Sequence, residues 1–209
     1  MNYYVVETDK HKLIQKTAGV KARQDVETIF KWNNFKKIEI PCLIEGRENK
    51  TRLGKIKAHY DVYMLWKNAL KKIKKNDWIY IQFPLLEHTM LFSLLIKNLE
   101  KRGIHTSIII HDVEAIRFTL RNDVPLSRKI RMRFEEISSF KNCSKIIVHN
   151  EKMKSFMHEK WKIHKDKMDI LGIFDYLVEN YNEELLEKRN LSRKGPVIIA
   201  GALSKHKAG

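Results

Sequence analysis

Cysteine is nearly absent: Cys42 and Cys143 are the only two, and no Cys-x-x-Cys spacing occurs. A disulfide framework is thereby excluded, and two unpaired thiols fit a reducing cytoplasm. A long apolar run is missing as well. The longest nearly apolar stretch, Met90 to Ile96, is interrupted by Ser93 and falls far short of the roughly 18 residues a membrane span needs. Membrane contact is therefore expected to be peripheral. The opening Met-Asn-Tyr-Tyr-Val-Val-Glu-Thr carries no basic leader and no small-residue cleavage site, so no secretory signal is expected. Neither a G-x-G-x-x-G fingerprint nor a P-loop is present, and internal repeats and low-complexity tracts are lacking. The nine histidines, His149, His158 and His164 among them, have no metal-ligand spacing, and no metal site is predicted.

Acidic residues are in short supply. Against 41 Lys and Arg stand 25 Asp and Glu, a formal charge of +16. Such a field attracts polyanions: nucleic acid, anionic lipid headgroups or phosphorylated small molecules. The lysines are spread over Lys67 to Lys75, Lys141 to Lys154 and Lys160 to Lys167, which suits a broad basic face better than a single basic arm. Hydrophobic residues make up 43% and aromatics 10%, enough to fill a core, so the 32% charged fraction reads as solvated surface rather than disorder. A chain of 209 residues accommodates one large domain plus a stub.

Short β-rich runs alternate with helical patterns, the signature of an α/β domain: a Rossmann-like parallel sheet with helices on both faces. Strands are predicted at Tyr3 to Glu7, Lys36 to Leu43, Trp78 to Phe83, Thr106 to His111, Lys145 to His149 and Met168 to Ile173. The segments from Ala22 to Lys31, Tyr60 to Lys75, Glu87 to Arg102, Leu126 to Lys141 and Glu151 to Trp161 carry apolar residues at helical spacing. Gly103 is placed to close its helix with a left-handed cap, and Asn150 to open the last one. Trp66, Trp78 and Trp161 fall on apolar faces and are expected in the core. Residues 1–175 are read as one domain and 176–195 as a connection. Val197 to Gly201 then looks like the opening strand of a second unit, covering 196–209.

In an open α/β sheet the ligand crevice lies at the carboxyl ends of the strands. That rule selects the Thr17-Ala18-Gly19 loop with Lys21, Gln82 with Glu87 and His88, His111-Asp112-Val113-Glu114, and His149-Asn150. Asp112 is the sharpest candidate, since a carboxylate where a buried strand meets a helix start can take a proton from a hydroxyl while His111 orients or polarises it. It can equally cap the helix from Ala115 to Leu120. Glu114 and Arg117, one helical turn on, are placed to hold sugar hydroxyls or to serve as ordinary first-turn charges. Glu87 and His88 read as helix-start residues. Gly19 and Lys21 offer backbone amides and a cation at a helix start, a place suited to anions, and also fit a plain βα turn. Gly201, Ser204 and Lys205 follow the last strand, where glycine permits close phosphate approach and Lys205 can neutralise a diphosphate.

The run Asp77-Trp78-Ile79-Tyr80-Ile81-Gln82-Phe83-Pro84, then Ile109-Ile110-His111-Asp112-Val113, then Ile146-Ile147-Val148 resembles bacterial galactofuranosyltransferases. It is similar also to the glucosyltransferase that extends N-acetylglucosamine on serine-rich adhesins. Ala18 to Val26, Leu171 to Tyr176 and Ala200 to Lys205 lie in matching order. The resemblance implies a GT-B enzyme: two facing Rossmann-like domains, the first for a saccharide or lipid-linked saccharide acceptor, the second for a UDP-sugar, with no required metal. It places Lys205 toward the UDP diphosphate, and leads one to expect Asn where Ala202 stands.

These readings give an expected function: inverting transfer of a hexosyl group, such as galactofuranose or glucose, with Asp112 as base and His111 beside it. Gln82, Glu114, Arg117, Gly19 and Lys21 would meet the acceptor, and Gly201, Ser204 and Lys205 the nucleotide. The donor domain would be incomplete, and the chain alone would transfer poorly. The expected setting is the cytoplasm at the inner face of an anionic membrane, without nucleic acid, and with self-association left open. The alternatives are a non-catalytic basic module that docks on nucleic acid or membrane, and a sugar-nucleotide sensor.

Overall fold

The computed structural model describes residues 1–8, 18–42, 51–118, 123–172 and 177. The chain divides into a unit of Met1–Tyr176 and a second of Leu177–Gly209, so the expected connection and donor stub lie almost wholly outside the described residues. Six parallel strands build the first unit: β1 (Asn2–Thr8), β2 (Lys36–Pro41), β3 (Trp78–Phe83), β4 (His105–Ile110), β5 (Lys145–Val148) and β6 (Met168–Ile170). They lie in the order β2-β1-β3-β4-β5-β6. The chain moves outward from β1 to β2, then returns past β1 to lay down β3. The sheet therefore has its topological switch between β1 and β3.

The strand sequences explain the burial. Ile108 and Ile110 of β4 point to one face and Ile109 to the other, and all three are buried, as expected of a central parallel strand covered on both sides. On one face Val5, Ile79, Ile81, Phe83, Ile108 and Ile146 join the main core. Helices α2 (Arg52–Ala69), α3 (Phe92–Lys101), α6 (Ser138–Asn142) and α7 (Glu151–Trp161) contribute Trp66, Phe92, Phe140 and Trp161 to it. Trp66 meets Phe92 edge-on at 5.2 Å between ring centres. On the opposite face α1 (Ala18–Trp32) supplies Val26 and Phe30 to a smaller core with Tyr4 and Ile109. Phe30 lies 5.3 Å from Tyr4 and 5.2 Å from Tyr80, centre to centre. Among the described residues no helix is long and apolar enough to cross a membrane.

Asn150 caps α7 by accepting the Met153 amide at 2.9 Å, and Gly103 adopts φ +72° after α3, both as the sequence predicts. Several boundaries move. The helix expected to run to Lys75 ends at Ala69, and the chain turns through Asn76 at φ +68° to enter β3. The helix expected from Glu87 begins only at Phe92. Its intended first turn is held as a loop: the Glu7 carboxylate accepts the amides of Leu86 and Glu87, and Thr89 donates to the His59 carbonyl while accepting the Leu91 amide. Glu87 and His88 are therefore loop residues, not helix-start residues. Trp78 is only half-buried and stacks on His105 at 4.8 Å.

The helix expected from Leu126 to Lys141 is divided. Between α5 (Leu126–Met132) and α6 lies a π-helical turn, Arg133–Ile137. The residue inserted by such a turn shifts the helical phase, and here the consecutive Glu135 and Glu136 are both buried, at 0% and 1% exposure. Glu136 accepts the Ala115 amide at 2.8 Å. Glu135 faces Nδ1 of His88 at 2.5 Å and Nη1 of Arg131 at 3.2 Å.

Candidate active site

Polar side chains gather along the carboxyl edge of the sheet, beginning at the switch point. Glu7, next to last in β1, holds the Leu86 amide at 2.8 Å and the Glu87 amide at 3.2 Å. Burial raises its carboxyl to about 7, against the pull of those amides and of Arg23. Arg23, on α1, donates to the Pro84 carbonyl, so helix and loop close over the strand ends. A cavity of about 30 Å³ lies here, lined by Glu7, Arg23, Glu27 and Gln82 over Trp66. Burial also raises the carboxyl of Glu27.

Gln82 connects this corner to the next strand. Its Nε2 donates to the Arg23 carbonyl at 3.4 Å, which leaves Oε1 facing Nε2 of His111 at 2.7 Å. An amide oxygen only accepts, so His111 carries its proton on Nε2 and keeps the Nδ1 lone pair. Burial, reinforced by the positive field of Arg23 and by His149, lowers its pKa to about 4. His111 is thus neutral at physiological pH. In turn His149 Nε2 donates to the His111 carbonyl at 3.4 Å.

Asp112 turns to other partners. Its Oδ1 accepts the Val113 amide at 2.8 Å, and its Oδ2 is ion-paired with Arg117. The expected cap does not form. Helix α4 (Glu114–Arg117) is capped by Val113, with no side-chain bond, because Asp112 sits one residue too early to reach the amides of the first turn. Its side chain is 43% exposed, within reach of a hydroxyl from solvent. Glu114 is instead committed to Arg128 and Arg131. Burial would raise its carboxyl, but the bonds from these guanidiniums prevail and hold it below the ordinary range. These pairs tie α4 to α5. Lys21 pairs with the buried Asp25 at 2.6 Å, and Gly19 lies in the first turn of α1 with open space where a side chain would be.

The edge thus brings together Gln82, His111 and Asp112 as neighbours in sequence or hydrogen bonding, and spends Glu114 and Lys21 on ion pairs. Gly201, Ser204 and Lys205 lie outside the described residues. Among the described residues no group of three or more His, Cys, Asp or Glu is disposed to hold a metal. Glu7 escaped the reading of the sequence although the strand-end rule applies to it. Its signal is a carboxylate near the end of the first strand; the switch beside it becomes visible only when β2 and β3 fall on opposite sides of β1.

Residues 2–173 match the family described as glucosyltransferase 3-like, N-terminal domain. The chain belongs to this family. The glucosyltransferase 3-like domain accounts for nearly all the described residues, and membership makes the chain glycosyltransferase-like. A comparison with curated proteins finds no match. In this glucosyltransferase 3-like domain the family match runs from β1 through β6 and so includes the whole polar edge from Glu7 to His149.

Proposed function

We propose that this domain is the acceptor-side half of a GT-B glycosyltransferase that transfers a hexosyl group from a UDP-sugar to a saccharide acceptor with inversion. The observation that carries the reading is the row Gln82, His111, Asp112 at the carboxyl ends of adjacent strands β3 and β4, next to the topological switch, where open α/β sheets bind ligands.

In this reading an acceptor hydroxyl lies between the Asp112 carboxylate and the neutral His111, whose Nδ1 lone pair accepts hydrogen bonds. The hydroxyl oxygen attacks the anomeric carbon, the bond from that carbon to the diphosphate breaks, UDP leaves with the electron pair, and Asp112 takes the hydroxyl proton. Arg117 holds the Asp112 carboxylate in place until the acceptor arrives. Leaving-group charge would fall to the donor side, with Gly201, Ser204 and Lys205 as nucleotide contacts. Galactofuranose and glucose are the donors the sequence resemblance favours.

The test uses a version carrying a complete donor domain, assayed with UDP-glucose and UDP-galactofuranose. Transfer is expected there and not from the 209-residue chain; full activity of the shorter chain would overturn the two-domain reading.

A further inference from the structure

The lysine-rich segment that follows Tyr63 takes no part in the crevice. Lys67 lies near the end of α2, and Lys71, Lys72, Lys74 and Lys75 are exposed on the turn into β3. Lys97, Lys101 and Arg102 are exposed at the end of α3. Backbone contacts join the two groups. Arg102 donates to the Ile73 carbonyl at 2.9 Å, the Asn76 amide donates to the Gly103 carbonyl at 2.7 Å, and a β-carbon on Gly103 would lie 2.8 Å from Cγ of Lys75. The two acids within residues 67–77 and 97–103 are engaged elsewhere. Asp77 holds the N-terminal ammonium and the Lys74 amide, and Glu100 turns inward to Thr106 and Ser144.

Between α2 and α3 runs a groove of about 340 Å³ with a floor of Leu70, Leu95 and Leu99 and a rim of Lys67, Lys101 and Arg102. Leu94, in the first turn of α3, and Tyr60, midway along α2, are 51% and 54% exposed. Cations at helix C-termini are favourable for the helix dipole, but that accounts neither for eight of them nor for an apolar groove among them.

We propose that this flank docks on the surface of an anionic lipid bilayer. The lysines and arginine would meet the headgroups while Leu94, Tyr60 and the groove take up apolar chain, the division of labour found in interfacial protein segments. A second copy of the chain fits poorly, because a two-fold contact through this patch would set like charges against each other. A nucleic acid would satisfy the cations and leave the apolar floor unfilled. The cations flank the amino ends of β3 and β4, opposite to the crevice, while Leu94 and Tyr60 lie farther along α3 and α2. The proposal does not depend on the transfer reaction.

The chain is mixed with phosphatidylcholine vesicles with and without phosphatidylglycerol, and bound protein is measured by co-sedimentation. Binding is expected only with phosphatidylglycerol. Each patch lysine contributes about a five-fold change, so Lys67→Gln, Lys71→Gln and Lys101→Gln together weaken partitioning by about 100-fold. The corresponding Lys→Arg triple retains binding, and circular dichroism verifies folding of both. Lys129→Gln, Lys152→Gln and Lys160→Gln, a set of equal charge elsewhere, has a much smaller effect, and Leu94→Gln removes the binding that survives added salt. The proposal is overturned if the two glutamine triples weaken binding equally, if phosphatidylglycerol makes no difference, or if the patch triple abolishes binding to duplex DNA while vesicle binding is unchanged.

Discussion

Gln82 and His111 stand at the ends of neighbouring strands, with the imidazole Nε2 of His111 donating to the Gln82 amide oxygen at 2.7 Å. Because Gln82 also donates to the Arg23 carbonyl, its amide orientation is set, and with it the tautomer of the histidine. The site therefore presents an uncharged ring whose Nδ1 is an acceptor.

This tautomer is directly measurable. The His111 ring should titrate near 4 rather than near its ordinary 6.5, so its proton resonances should stay constant down to pH 5. A folded pKa below the unfolded one means the unfolded chain binds more protons between these values. The stability that the neutral ring contributes is complete above 6.5 and is lost as pH falls toward 4. A midpoint above 6 would contradict the buried, neutral assignment.

Asp112→Asn separates catalysis from stability. In the complete enzyme we expect kcat to fall by about 10² to 10⁴, the range for loss of a general base. The ion pair with Arg117 is largely exposed, and such pairs are worth about 0–1 kcal/mol, so the melting temperature should barely move. Unchanged turnover would remove Asp112 from the mechanism.

Glu136 supplies a pH test of the fold. Burial raises its carboxyl from 4.5 to about 7, so the folded state binds the extra proton across that window and stability is lost as pH rises from 4.5 to 7. Glu136→Gln keeps an oxygen for the Ala115 amide and cannot ionise. It should be more stable than the parent at pH 8 by on the order of 1–3 kcal/mol, with the gap closing below pH 4.5. Thermal melts at both ends of the range decide it.

Arg131→Ala should be severe. Arg131 contacts both Glu114 and Glu135, and Glu135 has no solvent exposure. Taking the guanidinium from that buried side chain, which then keeps only His88, should cost up to about 3–5 kcal/mol, readable by urea denaturation, whereas loss of the more exposed Arg128 should cost less.

Local patterning determined most of the architecture. Buried parallel strands announce themselves as β3 and β4 do, in runs such as Ser107-Ile108-Ile109-Ile110, because a strand covered on both faces needs apolar side chains on both. The Gly103 cap and the Asn150 cap are equally local, each depending on one residue and the helix beside it. That Gln82, His111 and Asp112 lie at the carboxyl edge was legible from the strand pattern alone, since that edge follows from strand direction.

What those residues touch was settled by tertiary structure. Strand order put Glu7 at the switch point and spent its carboxylate on the amides that delay α3. The π-helical turn brought two adjacent glutamates inward, which no regular helical period anticipates. Long-range pairing gave Glu114 to Arg128 and Arg131, gave His111 to Gln82, and left Asp112 with Arg117. Sequence patterning reports which faces must be covered, because burial repeats with the period of each element. The partner of a polar side chain depends on which element arrives from far along the chain, and that only the assembled sheet and its helices decide.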